Sequence, residues 1–140
     1  CKVKYYNFSL FHNVQPGSLI QTGDPTGTGK GGESIYGVLY GEQARFFEDE
    51  ISRKLRHTKA GMVSMANSGP NTNGSQFFIT YAKQPSFNGK YTVFAKVIGG
   101  TEVLDLLEKV KTADTPEGQD RPLAEIRIKR VTIHANPLAT

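Results

Sequence analysis

The sequence predicts a mainly β domain that carries one or two helices. Fifteen glycines and seven prolines separate short apolar runs, a pattern typical of many short strands joined by irregular loops. Only one stretch of the chain repeats its apolar residues with the period of a helix face. The residues alone leave open whether the strands form a barrel or a sandwich.

Six segments have the pattern of a short strand. They are Phe8–Asn13, Ser18–Thr22, Met62–Met65, Gln76–Thr80, Thr92–Val97 and Ile126–His134. In the last segment apolar and basic residues alternate until the phase is lost at Arg130, and a β-bulge there would account for the slip.

The helical period lies in the last third of the chain. One face of the predicted helix is formed by Val103, Leu106, Leu107 and Val110. Thr101 is available as its N-cap, and Lys109 and Lys111 stand near its C-terminal end, where positive charge is favourable. We expect this helix to pack on the sheet. The polar segment Thr112–Pro122 that follows has the composition of a surface loop.

Length, composition and charge bound the class of protein. With 140 residues and 37% hydrophobic content, the chain is long enough for one globular domain with its own core. The net charge is +4, but the positive residues are dispersed, which argues against direct nucleic-acid binding. No apolar run approaches the roughly 18 residues of a membrane-spanning helix, so we expect a soluble protein with no membrane partner.

Cysteine and histidine give no sign of a disulfide framework or a metal site. Cys1 is the only cysteine, which excludes an intramolecular disulfide and favours a reducing, intracellular setting. His12, His57 and His134 lie far apart, with no thiol near them and no spacing of metal ligands. Solvated or core-edge histidines are the expected outcome.

A glycine motif suggests, and then fails to support, a dinucleotide site. Gly27, Gly29 and Gly32 fit the spacing G-x-G-x-x-G. The segment Glu33–Gly37 that follows lacks the amphipathic helical pattern on which a pyrophosphate would rest. Nucleotide binding is therefore not predicted.

The run from Met65 to Ile79 is the most informative part of the sequence. It joins two apolar strands through small and amide-bearing residues, which makes it too long and too polar for a minimal hairpin. Asn and Gln side chains can pin loop backbone, and they can also offer donors and acceptors to a peptide. Both interpretations stay open on chemistry alone.

The same run is nearly identical to the signature of the cyclophilins, and the chain resembles that family of peptidyl-prolyl cis-trans isomerases. Further motifs of the family are Phe11–His12, Gln21–Asp24, Gly31–Gly37, Phe47–Glu50 and Tyr91–Phe94. The C-terminal Ile133–Pro137 resembles the small single-domain cyclophilins associated with the spliceosome.

The resemblance implies an eight-stranded antiparallel barrel capped by two helices, with an active-site groove on its outer face and no cofactor. Family members have two further strands and a helix before the position of Cys1. We therefore expect residues 1–140 to be a single cyclophilin-like isomerase domain that lacks these N-terminal elements, and the native protein to be longer.

The family's site residues transfer to this chain position by position. Asn13 and Gln21 take the catalytic positions, and Phe78 would be the floor for the proline ring. The expected substrate-binding residues are Leu19, Ala66, Asn67, Ser68, Gln76, Phe78, Phe87 and Tyr91.

Several positions depart from the family's pattern. Asn13 replaces the catalytic arginine, and loss of a charge-assisted hydrogen bond of about 1.5–3 kcal/mol predicts a ten- to hundredfold slower reaction. Ser18 replaces a phenylalanine, and Leu19 replaces a methionine. Tyr91 stands where many members have histidine. Ser86 replaces a tryptophan, which implies weak binding of cyclosporin-type ligands.

An insertion, Val38–Phe46, adds Tyr40, Arg45 and Phe46 to the family's pattern. We interpret it as a surface loop that serves either as a partner contact or as padding.

Two main functions follow. The first is a peptidyl-prolyl isomerase of reduced activity that acts on X-Pro bonds of peptides and proteins. The second is a proline-peptide docking module, with little turnover, in a spliceosomal ribonucleoprotein assembly. Direct RNA binding would be a third, recognised by affinity that falls steeply with salt. The resemblance favours the nucleus as location, with the cytoplasm next.

Overall fold

In the computed structural model, residues 4–114, 116 and 120–137 are described. This part of the chain forms one five-stranded antiparallel sheet with two α-helices, which confirms the mainly β prediction. The sheet is open, so the closed barrel of eight strands is not present in the described ranges. Within them, no helix is long and apolar enough to cross a membrane. Cys1 lies outside the described residues.

The five strands are short and pair in the order β1-β2-β4-β3-β5. Their bounds are β1 Asn13–Gln15, β2 Leu19–Thr22, β3 Met62–Met65, β4 Phe77–Thr80 and β5 Val93–Lys96. The bounds predicted for β3 are right at both ends. The predicted ranges of β2 and β4 start one residue too early, and that of β5 is one residue too long at each end.

A tight turn connects β1 to β2. The amide of Ser18 donates to the carbonyl of Gln15 at 2.9 Å, and Gly17 lies in the left-handed region with φ of 75°. Glycine adopts this conformation without the steric cost that a Cβ would bring. The turn sets the register that pairs Asn13 with Gln21.

The register gives the sheet two different faces. Val14 pairs with Ile20, and Ile20 pairs with Ile79, so these apolar side chains share one face, on which Val14 and Ile20 are buried and Ile79 is half-buried. On the opposite face Gln21 pairs with Phe78, and this face carries the polar and aromatic groups of the site. The register of β3 with β5 shifts by one residue between Val63 and Ser64, which leaves Phe94 of β5 without a partner in β3.

The helix predicted in the last third is present as α2, Thr101–Glu108. Thr101 is its first helical residue rather than its N-cap, because Gly100 takes the cap position with φ of 76° and makes no side-chain cap hydrogen bond. The predicted apolar face is also partly wrong: Val103 and Leu106 are exposed. The hydroxyl of Tyr81, which follows β4, donates to the carbonyl of Leu104 at 3.0 Å. The helix therefore packs against the sheet through the Leu104 side.

A second helix, α1, spans Ile35–Tyr40, a segment without a helical pattern of apolar residues. Ser34 is its N-cap, and the Ser34 hydroxyl accepts from the amide of Gly37 at 3.3 Å. Only Gly37 is buried, so the helix has no apolar stripe that the sequence could have shown. The insertion Val38–Phe46 was expected to be a loop, but it contains the end of α1 and a 3₁₀ turn, Glu42–Ala44.

Two predicted strands, Phe8–Asn13 and Ile126–His134, do not form. The segments meet at an isolated bridge between Leu10 and Arg127 and through three backbone hydrogen bonds, such as that from the amide of Phe8 to the carbonyl of Ile128 at 2.7 Å. This pairing is too irregular for a strand, and Phe8 has a left-handed φ of 66° that interrupts an extended conformation. The bulge predicted at Arg130 falls in this non-strand region. In this segment only Ile126 and Ile128 are half-buried, and the other residues are exposed.

The predicted loop Thr112–Pro122 is described only in part. Its two ends pair as a bridge between Thr112 and Pro122, and the carbonyl of Asp120 accepts from the amide of Val14 at 2.7 Å. This contact fixes the loop's end against β1.

Candidate active site

Side-chain amides form a continuous hydrogen-bonded row across β1, β2 and the residue just before β4. Gln15 Nε2 donates to Asn13 Oδ1 at 3.3 Å, and Asn13 Nδ2 donates to Gln21 Oε1 at 3.1 Å. Gln21 Nε2 then donates to Gln76 Oε1 at 2.8 Å. The row joins Asn13, Gln21 and Gln76, which the sequence predicted to share a site.

Gln76 anchors the row to a glycine-rich loop. Its Nε2 donates to the carbonyls of Gly29 at 3.0 Å and Gly31 at 2.8 Å. The loop itself is built on Asp24, whose fully buried carboxylate accepts from the amides of Thr26, Gly29 and Gly31 at 2.8, 2.7 and 3.0 Å. Burial by itself would raise the pKa of Asp24, but these hydrogen bonds outweigh burial and lower it. The charged carboxylate thus holds the loop.

A cavity of about 330 Å³ lies between this loop, the signature run and the insertion. Its lining residues are Gln21, Gly29, Lys30, Gly31, Gly32, Arg45, Phe46, Ala66, Asn67, Ser68, Thr72, Gly74, Ser75 and Gln76. The cavity therefore brings the predicted peptide anchor together with the amide row. Lys30 was not predicted for the site, although its place in a glycine-rich segment was visible in the sequence.

An aromatic cluster stands on the same sheet face as the amide row. Phe78 packs edge-on against Phe87 and Tyr91, with ring centroids 5.5 and 5.3 Å away, and stacks on His57 at 6.0 Å. Phe87 and Tyr91 contact each other at 5.3 Å. Phe78 is only 2% exposed, so the half-buried rings of Phe87 and Tyr91 form the accessible part of this apolar surface.

The residues at the start of β2 do not form an open apolar pocket. Leu19 is buried, and the half-buried Ser18 before it accepts from Gln84 Nε2 at its hydroxyl oxygen, 3.3 Å away. Ser18 therefore ties β2 to the segment before Phe87 and presents no apolar surface of its own.

The side-chain amides of the signature run, Met65–Ile79, largely hold the run against neighbouring segments. Asn71 and the fully buried Asn73 both bond to Asp49. Asn71 Oδ1 accepts from the backbone amide of Asp49 at 2.9 Å, and Asn73 Nδ2 donates to the Asp49 carboxylate at 2.8 Å. Asn67 Nδ2 donates to the carbonyl of Lys90 at 2.8 Å. Asn71 and Asn73 therefore hold the run against Asp49, while Asn67 also lines the cavity.

His12 is buried behind the glycine-rich loop. Neither ring nitrogen has a hydrogen-bond partner in the described part of the chain. Burial lowers its pKa, and the Asp24 carboxylate opposes this only in part. The neutral imidazole is therefore the form that the fold accommodates.

Comparison with known proteins decides the family. A family model described as cyclophilin type peptidyl-prolyl cis-trans isomerase matches residues 1–133. The chain belongs to the cyclophilins. It is 60% identical to peptidyl-prolyl cis-trans isomerase CYP18-1 of Arabidopsis thaliana over 139 residues, which cover 99% of this chain and 80% of that protein. It is 56% identical to the human peptidyl-prolyl cis-trans isomerase-like 3, with the same coverage of both chains.

Solved cyclophilin structures share the fold. A cyclophilin type peptidyl-prolyl cis-trans isomerase of Cryptosporidium parvum superposes with a TM-score of 0.83 at 48% identity, covering 95% of this chain and 77% of that one. A structure of the same protein in the presence of the dipeptide Ala-Pro gives a TM-score of 0.83 at 47% identity, covering 94% and 78%. The predictions of the family and of isomerase activity are confirmed.

The structure divides the predicted cyclophilin site into two neighbouring parts. One part lines the cavity: Gln21, Ala66, Asn67, Ser68 and Gln76. The other residues lie outside its lining, at the β1 end of the amide row or in and below the aromatic cluster: Asn13, Leu19, Phe78, Phe87 and Tyr91. Gln21 and Gln76 belong to both the cavity and the amide row, and Gln21 pairs with Phe78 in the sheet.

Proposed function

We propose that this cyclophilin turns over X-Pro bonds slowly, because a neutral amide row replaces the positive charge at the catalytic position. The observation that carries the proposal is the hydrogen bond from Asn13 Nδ2 to Gln21 Oε1, at 3.1 Å. It places an uncharged donor on the sheet face that carries the aromatic cluster, separated from Phe78 by β2, and uses one of the two Nδ2 hydrogens within the protein.

The reaction requires a lower barrier to amide rotation and no covalent chemistry. Rotation about an X-Pro bond crosses roughly 18–20 kcal/mol because the amide loses its resonance. The twisted amide is stabilised when donors bind it more strongly than they bind the planar form. The second hydrogens of Asn13 Nδ2 and Gln21 Nε2 are the donors that the row leaves for this purpose.

The aromatic cluster would hold the proline ring. Phe87 and Tyr91 present apolar ring surface, and Phe78 supports both from below as the buried floor. Apolar contacts of this kind fix the ring while the preceding amide stays free to turn. The Ala66–Ser68 segment beside the cavity would anchor the rest of the peptide, since its own position is fixed by the Ala66 amide, which donates to the Gln76 carbonyl at 3.0 Å.

A second function is favoured by Ser18. Ser18 stands where cyclophilins carry an apolar side chain, and its hydroxyl is bonded to Gln84. The pocket therefore offers the proline ring less apolar contact than the family's pocket does. With Asn13, this supports a proline-peptide docking module that binds without useful turnover. Spliceosomal proteins are the partners, and the nucleus the location, that we propose for that role. We also propose weak cyclosporin-type binding because of Ser86.

Isomerisation kinetics and peptide binding, measured together, test the proposal. The rate of cis-trans exchange of a short Ala-Pro peptide is measured with the protein and with Gln21→Ala. We expect acceleration above the uncatalysed rate that falls about tenfold or more in the variant. Binding detected by nuclear magnetic resonance without any acceleration would favour the docking module. Absence of both binding and acceleration would overturn both functions.

A further inference from the structure

The charged groups that line the cavity have one sign. Among its described lining residues, only Lys30 and Arg45 carry charge, and both are cationic. Lys30 is exposed and takes part in neither of the two ion pairs found in the described ranges. A concave site lined by one sign of charge concentrates ligand groups of the opposite sign. The cavity is therefore suited to an anionic group.

The guanidinium of Arg45 is positioned by the protein and still has donors to offer. Nε donates to the carbonyl of Gly32 at 2.9 Å, and Nη2 donates to the carbonyl of Lys30 at 2.8 Å. Nη1 contacts Glu42 at 3.5 Å, and Glu42 is 80% exposed, so this pair is weak. Since a guanidinium carries five N–H groups in a fixed fork, a ligand carboxylate can bind here without displacing either backbone contact.

Phe46 gives the same wall an apolar patch. Its ring is 45% exposed and lines the cavity, and the Arg45 guanidinium lies 4.8 Å from the ring centroid. This cation–π contact holds the two side chains together. A side chain with a short apolar stem and an anionic end would contact both Phe46 and Arg45.

The cavity is continuous with the proposed peptide site. Gln21, Gln76 and the Ala66–Ser68 segment line it together with Arg45 and Phe46. An extended chain advances about 3.3 Å per residue, so a residue a few positions from the proline reaches the cationic wall.

We propose that the insertion Val38–Phe46 gives this cyclophilin a subsite for an acidic side chain, Asp or Glu, close to the target proline. Arg45 and Lys30 bind the carboxylate, and Phe46 packs against its stem. The subsite selects proline-containing segments that are acidic on one side of the X-Pro bond. This inference rests on the proposed function, because the peptide must occupy the groove for its neighbour to reach the cavity.

Peptides of matched size measure the selectivity. One series carries a single Glu at each of the positions from about one to four residues before or after an Ala-Pro bond, and its partner series carries Gln at the same position. Dissociation constants are determined by isothermal titration calorimetry at low and at high salt. We expect one or two neighbouring positions at which Glu binds about five- to thirtyfold more tightly than Gln, with the ratio reduced by salt.

Variants assign the effect to the two cations. Lys30→Gln and Arg45→Gln should each lower the Glu-to-Gln affinity ratio at least about threefold, and Arg45→Lys should restore part of it. Lys54→Gln removes an equal charge from an exposed loop residue outside the cavity and should leave the ratio unchanged. Circular dichroism confirms that the Arg45 variants remain folded. Lys30→Glu, which removes no backbone contact, should favour a peptide with Lys at the same position.

The outcomes separate this inference from the proposed function. If Gln and Glu peptides bind equally at every position, or if the ratio survives both Lys30→Gln and Arg45→Gln, the acidic subsite is wrong while the groove stands. If no proline peptide of either series binds, the proposed function and the subsite are both overturned.

Discussion

Asn13 Nδ2 donates to Gln21 Oε1 at 3.1 Å, in the register position where β1 and β2 pair these two residues. A longer cationic side chain at this position would extend past Gln21 and bring charge to the amide being rotated. We therefore expect the neutral Asn13 to limit the proposed rate more than the other departures from the family's pattern.

Asn13→Arg should raise kcat/KM for an Ala-Pro peptide at least about tenfold, because a charge-assisted hydrogen bond to the twisted amide is worth about 1.5–3 kcal/mol. Protease-free isomerisation kinetics measure the change. Gln15→Arg adds the same charge two residues away on the same strand face and should have a much smaller effect. Equal gains in both variants would attribute the change to general charge rather than to the catalytic position.

Gln21 and Gln76 should act as a coupled pair in catalysis. Gln76 Oε1 accepts from Gln21 Nε2 at 2.8 Å, and Gln76 Nε2 donates to the carbonyls of Gly29 and Gly31. In a double-mutant cycle with Gln21→Ala and Gln76→Ala, we expect a coupling energy of about 1 kcal/mol in kcat/KM. Gln15→Ala combined with Gln76→Ala should be closer to additive. Strict additivity of the first pair would contradict a functional amide row.

The sequence predicted the strands with buried layers better than those without. Met62–Met65 is right at both ends because its residues pack in the sheet. Ile126–His134 shows comparable alternation, but its start pairs only with the irregular segment before β1, through the bridge at Arg127 and three backbone hydrogen bonds. Alternation indicates a strand only where a regular partner edge is present. Helix α1 was missed because its single buried residue, Gly37, leaves no periodic stripe to detect.

The resemblance to the cyclophilins predicts which residues belong to the site. The contacts among these residues cannot be predicted from the sequence. Gln21 and Gln76 are 55 residues apart, and only the pairing of β2 with β4 brings them into contact. Arg45 and Phe46 were noted in the insertion as a partner contact or padding. Their place in the cavity wall depends on two carbonyl contacts of Arg45 that no sequence pattern encodes.

Tyr81→Phe should lower the free energy of unfolding by about 1 kcal/mol, because it removes the hydrogen bond to Leu104 that ties α2 to the sheet. Burial, with smaller effects from Glu108 and Asp105, raises the pKa of Tyr81 to about 12, so its hydroxyl stays protonated and donating at neutral pH. Urea denaturation measures the change. Tyr36→Phe is the control, since Tyr36 is 52% exposed and its hydroxyl makes no hydrogen bond within the described residues. Equal losses in both variants would contradict a role for the Leu104 contact.

Stability should fall below about pH 6.5 in a manner that depends on His12. Burial lowers the pKa of His12 in the folded protein from its ordinary value of 6.5, which applies to the unfolded chain. Between the lowered folded-state pKa and 6.5, the unfolded chain therefore binds a proton that the folded chain does not. The contribution is complete above 6.5 and is lost as the pH falls toward the folded pKa, at about 1.4 kcal/mol for each pH unit in that window.

Urea denaturation at about pH 7.5 and about pH 5.5 tests this dependence. The unmodified protein should lose more stability between the two than His12→Gln, which lacks the titrating ring. His134→Gln replaces an exposed histidine and should keep the pH dependence of the unmodified protein. Because His57 is buried as well and stays present in all three proteins, only the difference between them reports on His12. The same slope in His12→Gln as in the unmodified protein would show that acid destabilisation arises elsewhere.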